Sequence, residues 1–541
     1  MKLRTTLFAL LLASFFTVAA AAQGGGQLRF CLRSDPKTFD PVLVDDDASE
    51  RVRYITGGFL LRVNRLTQEL EPELATSWKL SKDGRTISFQ LREGLHFSDG
   101  TPFSAEDVAF TLQRLMDPNL HSPTGDAFRS GDGKVRTQVA GPNKISVTFP
   151  AAVASLDSKF DQVAILSAKS PKKEMAVLGP FYVADYKAGA YLQLNRNPNY
   201  WKRDEQGHSL PYLDSIRLDI QQNRDAEMLR FLRGEIDLID TVDAEYFNRA
   251  QSEQAGSAHD AGVSLDPEQL WFNQTAKSPI PAYKRAWFRS TNFRVAIWEA
   301  VNRDDMARVV YRGRAQAAIG MLSPADKFWF NTSLRTRAYD PQAALKLLAQ
   351  DGFHQQNGQL IDRDGHLVEF SLVTDAGNKT RERMATMMQE DLSKIGIKLN
   401  VVTLDFPSLI ERITRTFDYE ACLLGLTNMT LGPDAQMNVW LSSAENHQWN
   451  PSQKQPETAW EAEIDRLMRT QASSLDPRKR KEAFDRVQQI AWEQAPFIYL
   501  VNRHALSAVS PKLHNVQPAV LQPYVYWNID RLSRNTESAS K

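Results

Sequence analysis

The sequence predicts an α/β fold divided between two or three domains. Length is the first reason: 541 residues are far more than one hydrophobic core supports. Patterning is the second. Period-two alternation and helical stripes recur in turn along the chain, which argues against a pure bundle or sandwich. Composition agrees, since 42% hydrophobic and 24% charged residues are globular proportions.

The elements follow in chain order. Lys2 and Arg4 precede an apolar run over 7–18, and Ala20-Ala21-Ala22 supply small residues before Gln23. That order is the pattern of a secretory signal peptide covering 1–22. The run is short for a membrane span of roughly 20 residues; a tilted N-terminal anchor is the alternative. Leu28-Arg29-Phe30 before Cys31 are not the small residues that precede a lipid-attachment cysteine. The mature chain is therefore expected to be soluble and periplasmic. Trp78, Leu80, Ile87, Phe89 and Leu91 alternate with polar residues around Asp83-Gly84, which predicts a hairpin. Ser104 and Asp107 form a capping-box pattern before the stripe Val108, Leu112 and Leu115. Val295, Trp298 and Val301 mark a helix after Thr291-Asn292, and another is expected to start near Asp304 and stop at Gly313. Asp340-Pro341 and Asp476-Pro477 each place a cap before proline at the first helical position. Residues 360–372 read as a second hairpin turning at Asp364-Gly365. Met384, Met387, Met388, Leu392 and Ile395 share one helical face that stops at Gly396, and 401–404 is a strand.

Composition also excludes. Sixty-five basic and 65 acidic residues cancel, whereas a phosphate-backbone binder carries a basic excess, so nucleic acid is disfavoured. The sequence has no phosphate loop, no G-x-G-x-x-G, no G-x-S-x-G, no H-E-x-x-H and no C-x-x-C. No catalytic residue, metal ligand or cofactor is assigned. The nine histidines are scattered. Asp362-x-Asp364-Gly365 resembles the start of a calcium loop but lacks its terminal glutamate; a turn explains it better. Asp45-Asp46-Asp47 reads either as a cation or amine site or as helix-capping acids. Cys31 and Cys422 are expected as buried free thiols, with pairing as the alternative. The methionine face fits core packing better than a promiscuous pocket.

Several segments together resemble the family 5 extracellular solute-binding proteins. These are Asp35-Pro36-Lys37-Thr38-Phe39-Asp40-Pro41; the stretch 87–108, with Arg92-Glu93-Gly94 and Phe97-Ser98-Asp99-Gly100-Thr101-Pro102; Gly179-Pro180-Phe181-Tyr182; Asn197-Pro198-Asn199-Tyr200-Trp201; and Gly234-Glu235-Ile236-Asp237. Phe293-Arg294-Val295 through Asn302-Arg303, Tyr339-Asp340-Pro341, Gly396-Ile397 and Asp476-Pro477-Arg478-Lys479-Arg480 continue the series in order.

The resemblance implies a periplasmic binding protein-like fold of type II, three-domain cluster C, with two lobes joined by a hinge. Domain I would comprise 23–57, 176–268 and 503–541. Domain II, 58–175, would be inserted in it, and domain III, 269–502, would form the second lobe. Two crossings near 268 and 503 would make the hinge. The implied function is the substrate-binding subunit of an ABC importer, closing on a peptide or peptide-like solute and passing it to the membrane permease. A monomer without cofactor is implied. A non-peptide solute (metal chelate, haem, opine, oligosaccharide), a sensor or chaperone role, and an exported hydrolase remain alternatives.

The chain departs from the family's dipeptide binders. Their carboxylate-binding arginine falls at or near Asp375 here, and their amine-binding aspartate near Asn428 or Met429. The expected solute is therefore longer, blocked, or otherwise not a standard dipeptide. Candidate cleft residues are Asp46, Asp47, Asn273, Asp375, Asn378, Thr427, Asn428 and Trp449. Trp271 and Phe272 are expected in the core.

Overall fold

The computed structural model describes residues 25–126, 128, 133–170, 175–425 and 431–534. The signal segment lies outside these residues. No helix among them is long and apolar enough to cross a membrane.

Three sheets organise three large cores. The first sheet places Gln27–Leu32 parallel to Ser215–Ile220, followed by Tyr191–Arg196 and Phe181–Lys187. Its alternating side chains, Leu192, Leu194, Ile216 and Leu218, are fully buried on one face. They pack with residues 48–55 and with the C-terminal stretch 505–532 in the first core. The second sheet is antiparallel, in the order Ala75–Leu80, Thr86–Leu91, Lys144–Thr148, Arg136–Val139. Ile87, Phe89, Ile145 and Val147 face the second core, which runs from Val42 and Leu60 to Leu178. On the opposite face Ser88 bonds Ser146 and Thr86 bonds Thr148 through their hydroxyls.

The third sheet is mixed and seven-stranded. Two of its strands are long: Ala258–Phe272 and Phe497–Val509. They pair antiparallel from Ala258 opposite Ala508 to Trp271 opposite Phe497. One end of the pair meets Leu238–Ile239 beside the first core. The other end joins Ala421–Gly425, Glu369–Asp375 and Lys398–Leu404 in the third core, which spans Leu270 to Val501. The first and third cores are thus joined by this two-stranded ribbon.

Local signals decide the helices. The capping box at Ser104 and Asp107 is made, and Val108 and Leu112 below it are fully buried. Asp340 and Asp476 cap the helices Pro341–Gln350 and Pro477–Gln494, each with proline in the first turn. Met384, Met388, Leu392 and Ile395 are all in the third core. The helix expected near Asp304 is Arg303–Val309, capped by the Asn302 carboxamide, which accepts the Asp305 N–H; it ends before Gly313. The second hairpin turns at Asp364-Gly365 as expected, with Ile361 bridging Leu367 antiparallel and the Val368 N–H on the Leu360 carbonyl. It is shorter than 360–372, because Glu369–Asp375 leaves it for the third sheet, parallel to Lys398–Leu404. His354–Gln356 and Gln359–Ile361 form a further hairpin across Asn357-Gly358.

Cys31 and Cys422 are both buried and free. Burial raises the Cys31 thiol to about 12 and pushes Cys422 well up as well.

Candidate functional site

Between the second and third cores lies a cavity of about 450 Å³. One wall comes from the strand Leu61–Val63 with Arg65 beyond it, and from the short helix Ser158–Gln162. The facing wall is Trp329, Pro433, Asp434 and Arg480. A smaller cavity of about 40 Å³ adjoins it, sharing Arg65 and Gln162. It is lined from the first core by Asp47, Arg51, Asp240 and Tyr526.

The charges here are held in pairs. Arg65, 5% exposed, lies 3.6 Å from the Asp161 carboxylate, which also accepts the Val63 N–H at 2.8 Å. Arg480 donates to Asp434 at 3.1 Å and to the Gln471 carbonyl at 3.0 Å, and its guanidinium lies over Trp329. Arg51 donates to Asp47 at 2.8 Å and lies 3.7 Å from Asp240. Burial raises the Asp240 carboxyl, which Arg51 opposes. Burial lowers the Lys159 ammonium, which Asp434 opposes. A site walled by desolvated ion pairs offers charge-assisted bonds to a polar solute, while Trp329, Phe128, Leu431 and Leu521 supply apolar contact.

The eight predicted residues are distributed as follows. Asp47 lines the smaller cavity. Asp46 is the N-cap of Asp47–Thr56 and accepts the Ser49 N–H at 3.0 Å, so the capping reading holds for it. Asp375 and Asn378 come together: the Asn378 carboxamide donates to Asp375 at 3.0 Å, as does Arg381. Arg381 also donates to Glu268 at 2.8 Å. Its charge is therefore answered by two carboxylates. Asn273 and Trp449 have structural roles instead. Asn273 is fully buried and donates to the carbonyls of Phe417 and Tyr419, holding two chain segments together. Trp449 is fully buried against Trp440 and Phe497, with its indole N–H on Glu461. Thr427 and Asn428 lie outside the described residues.

Sequence reasoning missed Arg65, Asp161, Asp240, Trp329 and Tyr526. Their partners across the cavities are distant in sequence, Asp161 lying 96 residues from Arg65, and no local spacing marks them. Arg480 stood inside a segment already singled out, Arg478-Lys479-Arg480, and Asp434 follows the predicted Asn428 by six residues.

Comparison with known proteins now bears on this geometry. The family profile described as bacterial extracellular solute-binding proteins, family 5 Middle, matches residues 69–448. The chain belongs to the family 5 extracellular solute-binding proteins. It is 27% identical to a probable ABC transporter-binding protein of Deinococcus radiodurans, over 88% of this chain and 87% of that one. It is 24% identical to the oligopeptide-binding protein AppA of Bacillus subtilis, over 94% and 90% of the two chains. The solved structure of AppA with a nonapeptide covers 95% of this chain and 100% of its own at a TM-score of 0.73 and 22% identity. NikA from Brucella suis in complex with Fe(III)-EDTA covers 94% and 100% at a TM-score of 0.80 and 21% identity. These two structures share the two-lobed fold of this family 5 protein.

Proposed function

We propose that this family 5 protein captures a peptide or peptide-like solute between its two lobes and delivers it to the membrane permease of an ABC importer. The observation that carries the reading is the cavity of about 450 Å³ between the second and third cores. Solute touching both walls stabilises the closed form, because only that form contacts it from both sides. The separate cores support the proposed division into domain I (23–57, 176–268, 503–541), domain II (58–175) and domain III (269–502). The protein acts by retention and release, without turnover, as a periplasmic monomer.

Arg381 bears on the solute. Its guanidinium is engaged by Glu268 and Asp375, so a short peptide's carboxylate placed there would meet two anions. The solute is longer, blocked, or oriented by other groups. The same cavity also suits an anionic chelate, which is the second reading; the fold shared with NikA allows it.

Native mass spectrometry of the protein purified from its own periplasm tests this. A peptide mass released on mild activation is expected, and a chelate or haem mass would replace the peptide reading. Peptide at 100 times its dissociation constant should add about 2.7 kcal/mol to stability. No bound mass and no thermal shift with a peptide library would overturn the proposal.

A further inference from the structure

We propose that Gln68, which lies outside the cavity, sets the protein's affinity for solute by latching the two lobes together. This rests on the closing-lobe reading above. The Gln68 carboxamide donates to the Ala325 carbonyl at 2.6 Å and accepts the Lys327 N–H at 3.1 Å. One side chain thus closes a two-bond clasp on the backbone of the other lobe. The Lys327 ammonium returns a bond to the Leu66 carbonyl at 3.0 Å.

Two further observations set this contact apart from casual surface touching. Gln68 has a backbone φ of 67°, a region where glycine is at ease and a side chain is not. Ser155 does too, at φ 46°, and its hydroxyl accepts a bond from Arg480 across the same gap. Gln68 and Ser155, which both reach across from the second core, therefore sit in strained backbone, and held strain points to a task for the side chain. In addition, both halves of the clasp are tied to the cavity. Arg65, three residues before Gln68, lines it, and so does Trp329, two residues after Lys327. The receiving turn is itself fixed: Asp326 accepts the Trp329 N–H at 3.1 Å and the Gly432 N–H at 3.2 Å. Clasping Ala325–Lys327 thus brings Arg65 and Trp329 to their facing positions.

A latch that closes without solute raises the fraction of binding-competent protein, and apparent affinity follows that fraction. Losing two hydrogen bonds should lower the closed-to-open ratio on the order of tenfold. Where the closed form is the minor one, the dissociation constant rises by the same factor.

The test measures lobe separation in the full mature chain without solute. Lys144→Cys and Lys346→Cys, both at exposed positions, take a donor and an acceptor dye; the native thiols are buried and do not label. Native protein should show a short-distance population that Gln68→Ala and Gln68→Gly largely lose. The glycine variant suits the backbone at φ 67°, so it removes the clasp without endangering the fold. Identical distance distributions in all three proteins would overturn the latch. If a tryptic casein digest, used as the peptide probe, still shortened the distance in each, the capture reading would stand alone.

Discussion

Glu461 is 3% exposed yet held far below the usual carboxylate range, at about 2. Burial alone would raise it, but donors converge on both oxygens. Trp449 and Gln453 reach one oxygen at 3.0 and 2.9 Å, with His447 at 3.2 Å; the Thr458 N–H and hydroxyl reach the other at 3.0 and 2.8 Å. Hydrogen bonds to the charged form outweigh its desolvation. Because the folded value lies below the ordinary 4.5, the stabilisation is complete above pH 4.5 and is lost as pH falls toward 2. Urea titrations should show an acid limb in that window which Glu461→Ala removes. That variant leaves several buried donors unanswered and should cost about 3 kcal/mol at pH 7. This network also explains why Trp449 misled sequence reading. A tryptophan in a polar loop looks like a cleft residue, and nothing local shows that a carboxylate twelve residues later draws it inward. Asp46 was legible because its partner, the Ser49 N–H, is local. Arg65 was not, because Asp161 is 96 residues away.

Among elements, the segments with chemical punctuation were legible: prolines after aspartate, the capping box, the Asp83-Gly84 hairpin. Where tertiary pairing chose the partner, as for Glu369–Asp375, the sequence pointed to a strand but not to its neighbour. Glycine in Gly179-Pro180-Phe181-Tyr182 has a reason that only packing reveals. A Cβ on Gly179 would fall 2.2 Å from the Thr56 carbonyl oxygen, and one on Gly58 would fall 2.4 Å from the Leu178 Cβ. The chain runs through this joint twice, between the first and second cores, and the passes are bonded by the Gly179 N–H to the Thr56 carbonyl. Backbone lies against backbone, so neither side can yield cheaply. Gly179→Ala should therefore cost about 3 kcal/mol or more, against about 1 kcal/mol at Gly94, where only a positive φ opposes a side chain and the space is open. Chemical denaturation of the two variants side by side checks the order; equal losses would mean that the joint is loose.

For the whole molecule, the ribbon between the first and third cores is the part that must bend if the lobes open. Its ladder is irregular where it crosses. Register shifts fall between Asp260 and Val263, between Val263 and Pro267, and between Glu268 and Gln269. Pro267 has no N–H to give, and Asn502, fully buried opposite it, has neither carboxamide atom bonded among the described residues. Side chains replace part of the missing ladder: Ser264 donates to the Arg503 carbonyl and Arg503 to Asp266, each at 2.9 Å. Beyond Gln269 the pairing is regular and packed on both sides in the third core. Stability should therefore drop along a single strand, low over 261–267 and high over 269–272. In hydrogen exchange followed by mass spectrometry, peptides covering 261–267 should exchange markedly faster than those covering 269–272 and 497–501. Solute that bridges the lobes should slow the first and leave the others unchanged, because it quiets the bend and not the core. Uniform slow exchange along both strands would mean a rigid ribbon, and the bending would then have to be sought at the Gly58–Gly179 joint.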